Sequence, residues 1–483
     1  MRILKKNLLF WAFFGGALVL SLNCAKQDVE NLPLATFDGG KVTVKEYVTH
    51  YLKSTKYKPK QMPTEANLRK IVFNKAMEKI AVLEALADHV DQDSIFKRGY
   101  RNREALTLFQ DYVQREMVNA VVTDSLIRKF YKEFTPQYQL FYIFRGAPKD
   151  ASKRFARAQK DTIDWIYKKL QRGAKFQELA RKYSQDELTA HKGGDAGFVI
   201  PESLGDPFVR KTFRSLPEDS FSKPFKGVGG YYIIYKGKKR DVPVPRFEEV
   251  RGKIWQTLYH TRRHQIQEKI DARFKELAPV YHYKVLQKTV DWVIKKAGKK
   301  EHVGRNWYVA LNADKFSEKD LKKSVATYDG GVITLGDIFS DREKSPQDMW
   351  EFRKRLYEIA QERLFALDAK KKGYENFPDV QKRLQTIRNG LLRQAEYEKH
   401  IMSKVAAGLD SIRAEQGKKL TPSALHDLIL QKRAELEELY RGRFEDAMIK
   451  KYHFRFVKEN FKKALKFAKE KKLEAVKKAK ESA

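Results

Sequence analysis

Between residues 176 and 183 the apolar positions are Phe176, Leu179, Ala180 and Tyr183. This i, i+3, i+4, i+7 spacing gathers all four on one face of a helix. Upstream, Phe155, Ala158, Ile163, Ile166 and Leu170 trace a longer amphipathic helix, and Gly173 stands where a left-handed residue closes a helix. Residues 138–144 are dense in aromatic and β-branched side chains and read as a buried strand. A second such run, 231–235, is entered through Gly227, Gly229 and Gly230. The predicted order is strand, long helix, short helix, glycine loop, short helix, strand, strand. That order predicts a compact α+β domain over 136–240, with helices packed on a small antiparallel sheet.

Outside that region the pattern repeats. Residues 35–44 read Ala-Thr-Phe-Asp-Gly-Gly-Lys-Val-Thr-Val and residues 326–335 read Ala-Thr-Tyr-Asp-Gly-Gly-Val-Ile-Thr-Leu, identical at six of ten positions. Asp-Gly between β-rich runs signals a tight turn. A helical stripe follows each copy: Leu68, Ile71, Val72, Ala76, Ile80 and Leu83 in one, Phe352, Leu356, Ile359, Ala360 and Leu364 in the other. A second matched pair, Tyr281-His282-Tyr283-Lys284-Val285 and Tyr452-His453-Phe454-Arg455-Phe456, ends an amphipathic helix in each case. The simplest reading is one unit written twice in series. Segments 24–135 and 241–320 form the first copy around the α+β insertion, 321–461 forms the second, and 462–483 is a separate lysine-rich tail. The tail's nine lysines are interleaved with apolar residues, which suits an anionic surface or a solvated terminal helix.

The start of the chain sets the expected compartment. Arg2, Lys5 and Lys6 precede an apolar run from residue 8 to 22, the two regions of a secretory signal over 1–23. Cys24, the only cysteine in 483 residues, follows directly. Its position resembles the lipidated residue of bacterial lipoproteins, which implies a lipid-anchored protein of the cell envelope facing the periplasm, without disulfides. The formal charge is +36, which in a cytosolic protein would suggest nucleic acid. With an export signal, anionic lipids, envelope polymers or acidic client segments are the expected counterparts instead. The histidines show no metal-ligand spacing, and no metal or cofactor is expected.

The succession Phe176-Gln177-Glu178-Leu179-Ala180, Tyr183-Ser184, Gly193-Gly194-Asp195-Ala196-Gly197 and Gly230-Tyr231-Tyr232-Ile233-Ile234 resembles a parvulin-type peptidyl-prolyl cis-trans isomerase domain. The flanking segments resemble the helical chaperone scaffold of PrsA- and SurA-like foldases. The resemblance implies an exported isomerase and chaperone acting on unfolded, proline-containing clients, without a cofactor. It places Leu204 and Phe208 on the proline slot, Ala196 where the family commonly has leucine, and Asp186 at the polar centre. Tyr142 and Tyr232 stand where the family has its two central histidines. Two alternatives remain open on the sequence: a holdase without catalysis, and a basic envelope lipoprotein that binds anionic polymers.

Overall fold

The computed structural model describes residues 29–481, apart from Tyr57, 149–150, 304–305 and 340–344. The expected signal segment 1–23 and Cys24 lie outside the described residues. No described helix is long and apolar enough to cross a membrane. The chain divides into a split unit, residues up to Phe96 together with those from Gly390, and a continuous unit, Lys97–Asn389.

In the split unit the strands Pro33–Phe37 and Gly40–Thr43 form an antiparallel hairpin. Gly39 takes φ +86° at its tip, a backbone conformation that glycine adopts without strain. Thr43 caps the following helix, Val44–Ser54, and closes a reciprocal capping box with Glu46. The helix Glu65–Ala87 buries Leu68, Ile71, Val72, Ala76 and Ile80, the stripe the periodicity predicts. The third strand of this sheet is Arg455–Phe456, paired with Pro33–Phe37.

The continuous unit repeats the motif with different connectivity. Ser324–Tyr328 and Gly331–Thr334 form its hairpin, and Lys284–Val285 is the third strand. A helix of the same 23-residue length, Met349–Lys371, follows. The detailed contacts correspond. Asp38 donates its backbone N–H to the Tyr452 carbonyl at 2.8 Å, and Asp329 to that of Tyr281 at 3.0 Å. His453 contacts the Asp38 carboxylate at 2.7 Å and His282 that of Asp329 at 2.9 Å. Both histidines sit at positive φ between helix and strand. The Tyr452 hydroxyl donates to Glu84 and the Tyr281 hydroxyl to Asp368.

The serial reading of the repeat is therefore corrected. Segment 241–320 does not complete the hairpin at Asp38; it supplies the strand for the hairpin at Asp329, and residues 452–456 complete the earlier one. The two copies are circular permutations of one motif. Both Tyr-His-aromatic segments carry the same pairing chemistry, so local sequence does not choose between the two hairpins. The tail expectation is corrected as well. Phe461–Glu481 is one helix whose Phe461, Ala464 and Ala468 belong to the split unit's core. Lys472 is 2% exposed and donates to the Thr55 carbonyl at 2.6 Å.

Within the continuous unit, Gln137–Gly146 and Gly230–Arg240 are the central antiparallel pair of a five-stranded sheet. Asp195–Val199 flanks the former, while Ser220–Phe221 and Phe225–Lys226 pair with the latter. Alternate residues of a strand face opposite sides. Phe141, Ile143 and Ile233 pack beneath helices Lys153–Gln171 and Phe176–Tyr183, and Leu140 and Ile234 pack beneath Pro207–Ser215. The expected element order holds, with two additions: the glycine loop contains the strand Asp195–Val199, and three strands instead of two follow Pro207–Ser215.

Candidate functional site

The face of the sheet beneath Pro207–Ser215 also carries Tyr142, Leu204 and Tyr232, partly buried around Leu140, Val209, Phe213 and Ile234. Tyr142 and Tyr232 come from the two central strands, their rings 6.2 Å apart and edge to face. Tyr232 also stacks on Phe225 and packs on Phe144. The Tyr142 hydroxyl donates to Asp186 Oδ2 at 2.9 Å. The same oxygen accepts the Thr189 hydroxyl at 2.6 Å and the Thr189 backbone N–H at 3.0 Å. Asp186 is positioned by its neighbours: Ser184 Oγ accepts the Phe144 backbone N–H, and the Gln185 side chain accepts that of Gly146. The turn before Asp195–Val199 approaches closely, since a Cβ on Gly194 would lie 2.6 Å from the Tyr142 carbonyl oxygen. Gly194 has φ +85°, so glycine is required there on both counts.

Burial pushes the Tyr142 phenol up to about 12, with Asp186 adding to the rise against the Thr189 hydroxyl. Burial and the nearby Asp206 carboxylate push Tyr232 up as well. Both phenols stay neutral through the physiological range, and the Tyr142 hydroxyl serves as a fixed hydrogen-bond donor to Asp186.

Beside Tyr232 opens a cavity of about 890 Å³ lined by Phe208, Gly227, Val228, Tyr232, His260 and His264, among others. Phe208 is 53% exposed, unusual for an aromatic side chain on a packed domain. Asp206 shapes this mouth. One carboxylate oxygen accepts the Phe208 and Val209 N–H groups at the start of Pro207–Ser215, and the other accepts the Val228 N–H at 2.7 Å. The structure thus groups Tyr142, Asp186 and Tyr232, and sets Phe208 with Tyr232 on one cavity. Leu204 packs with Tyr142 and Tyr232 on the same sheet face. Ala196 is exposed on Asp195–Val199 and does not line the cavity.

Sequence reasoning misses four contributors. Thr189, the partner of Asp186, sits in a loop without periodicity. His260 and His264 lie beyond residue 240, on helices Phe247–Thr261 and Arg263–Val280. Arg262, between those helices, donates to the Leu204 carbonyl at 3.1 Å and to Glu202 Oε2 at 2.6 Å. It is 2% exposed. Burial alone would raise Glu202, yet Lys129, Arg210 and Arg262 around it hold it below the usual carboxylate range. A glutamate between Pro201 and Ser203 and an arginine between two helices carry no distinguishing pattern, so only the folded chain reveals the pair.

Residues 143–238 match the family described as Rotamase: PPIC-type PPIASE domain. A second family match spans residues 4–135 and carries no functional description. The foldase protein PrsA of Caldanaerobacter subterraneus is 31% identical over 155 residues, 32% of this chain and 46% of that protein. Foldase protein PrsA 1 of Bacillus cereus is 26% identical over 45% of this chain and 75% of its own length. Chaperone SurA of Pseudomonas savastanoi is 39% identical over 14% of this chain and 16% of its own. The chain thus spans less than half the length of the first of these relatives. Residues 143–238 are thus a PpiC-type rotamase domain, of the parvulin kind, and the chain that carries it is similar to PrsA foldases and SurA chaperones over part of its length.

Proposed function

We propose that this chain is an exported folding factor, in which the parvulin-type domain isomerises X-Pro bonds of unfolded clients and the duplicated helical units hold extended client segments. One observation carries the catalytic half: Asp186, fixed by Tyr142 and Thr189, lies on the same sheet face as Tyr232, and Tyr232 and the exposed Phe208 line one cavity. Prolyl isomerisation requires no bond to be made or broken. The barrier of about 18–20 kcal/mol comes from amide resonance, so a catalyst has to favour the twisted amide over the planar ones. Phe208 supplies an apolar wall for the ring, and Leu204, which packs in the cluster with Tyr142 and Tyr232, backs the slot without lining the cavity. Asp186 and the phenols supply a preorganised polar centre, in which the phenols stay neutral. The export signal and Cys24 support attachment to the envelope by lipid, facing the periplasm, and the relatives named above are foldases and chaperones.

A holdase without catalysis is the second reading. It is favoured by the tyrosines at both positions where the family has histidine. A proline-peptide isomerisation assay on the full chain, run beside suppression of aggregation of an unfolded client, separates the two. A rate above the uncatalysed reaction supports the isomerase; suppression without any rate leaves the holdase.

A further inference from the structure

Glu396, in the split unit, is fully buried at 0% exposure. Neither of its carboxylate oxygens has a hydrogen-bond partner. Withdrawing an ionised carboxylate from water without a partner is strongly unfavourable, so the position calls for a cation or a proton. The nearest ammonium groups are engaged elsewhere: Lys399 contacts Asp88 at 2.5 Å, and Lys451 contacts Glu84 at 2.7 Å. What faces Glu396 is His400, whose Nε2 lies 3.1 Å from Glu396 Oε2 and 3.9 Å from Asp88 Oδ2. That nitrogen is itself buried and without a hydrogen bond.

The local backbone explains the approach. Residues Glu398–Met402 form a π-helical turn, a widened turn often found at functional positions. It carries His400 beside Glu396, four residues earlier on the same helical face. Asp88 is the residue that caps the C-terminus of Glu65–Ala87. One donor atom from each of the three side chains lies within 4.8 Å of the others.

We propose that Asp88, Glu396 and His400 bind a first-row divalent metal ion of the zinc class. A tetrahedral site with bonds near 2.1 Å has donor-to-donor edges of about 3.4 Å, and the two distances from His400 bracket that value. One imidazole with two carboxylates favours zinc, cobalt or iron(II) over magnesium or calcium. Three protein donors leave a coordination position for water, on the side of Asp88, whose side chain is 28% exposed. Lys399, itself 53% exposed, gives up Asp88 to the ion and turns to solvent. The ion would join the helix Glu65–Ala87 to a turn more than three hundred residues further along the chain. A clip that closes so long a loop favours the folded unit.

The test uses the full chain stripped of metal by chelator and dialysed. Calorimetric titration with Zn²⁺ is expected to give one site per chain, and Zn²⁺ to raise the melting midpoint where Mg²⁺ does not. Co²⁺ is expected to produce the visible absorption of a low-symmetry four-coordinate site. Glu396→Gln and His400→Gln, with folding checked by circular dichroism, should each weaken the site at least about tenfold. Retention of Zn²⁺ affinity in both variants, or only weak multi-site binding in the wild type, would overturn the proposal. So would a melting midpoint raised by Glu396→Gln and indifferent to Zn²⁺, the signature of a carboxyl that is simply protonated. The Co²⁺ spectrum of the unsubstituted protein decides the matter even if a variant fails to fold.

Discussion

Arg262 and Glu202 form an ion pair of 2.6 Å whose side chains are 2% and 4% exposed, joining the junction of two scaffold helices to the loop that carries Leu204. Removing one partner of such a pair leaves a buried charge, at a cost of about 3–5 kcal/mol. Arg262→Ala is expected to destabilise the continuous unit by that order in denaturant unfolding, and to lower prolyl isomerisation at temperatures where the protein remains folded. Unchanged stability would mean that water or Lys129 takes the arginine's place.

The same pair sets a condition on the excised domain. A fragment of residues 136–240 lacks Arg262 and Lys129, and its Glu202 keeps Arg210 and Arg214 as partners at a position then open to solvent. Glu202→Gln should therefore destabilise the full chain clearly and the fragment little. Equal losses in the two backgrounds would show that the ion pair contributes nothing across the domain boundary.

For catalysis, Phe208→Ala removes an apolar wall and Asp186→Asn removes the charge that Tyr142 and Thr189 hold in place. Each should slow isomerisation of a proline peptide at least about tenfold, equal to about 1.4 kcal/mol of transition-state stabilisation. Melting midpoints should change little, because Phe208 is exposed and asparagine keeps the shape of Asp186. Wild-type rates in both variants would remove this face of the sheet from the mechanism.

Because the two central phenols are pushed upward by burial, turnover at saturating peptide should be flat from about pH 6 to pH 9. Converting Tyr142 and Tyr232 together to histidine should preserve the activity and introduce a step near the ordinary imidazole value of about 6.5. A step in the wild-type turnover profile would assign a titrating group that is neither tyrosine.

Asp368 should contribute to stability against acid. Burial alone would raise it, but the Tyr112 hydroxyl at 2.6 Å and the Arg273 guanidinium at 2.9 Å hold it below its ordinary value. A carboxyl depressed in the folded state contributes stability that is present above its unfolded value of about 3.9 and is lost as pH falls through the folded value. Unfolding midpoints should therefore drop below about pH 4. Asp368→Asn should lower stability at neutral pH and flatten that acid limb.

The parts of the fold that could be read from the chain are those set by neighbours in sequence. Phe176, Leu179 and Ala180 define a helix face whatever lies beyond it, and Gly194 marks a turn because only glycine suits its backbone. The short strand Asp195–Val199 was hidden among glycines that weaken any strand signal. Pairing of the repeat halves could not be read, because Tyr281-His282 and Tyr452-His453 offer each hairpin the same hydrogen bonds. The site shows the same division. Tyr142, Asp186 and Tyr232 are locatable by motif, whereas Thr189, Arg262 and His264 act from segments that carry no pattern of their own.

The permuted repeat also dictates an order of assembly. In the continuous unit the hairpin contact between His282 and Asp329 spans 47 residues, but in the split unit the contact between His453 and Asp38 spans 415. A chain emerging from its amino end can close the former soon after both partners appear. The strand Pro33–Phe37 must wait, with an unpaired edge, while more than four hundred further residues are delivered. Exposed strand edges recruit other strands, so during synthesis this protein passes through the condition it is proposed to relieve in others. A chain cut short before residue 452 would keep that open edge permanently, which makes closure of the split unit a built-in mark of a completed molecule.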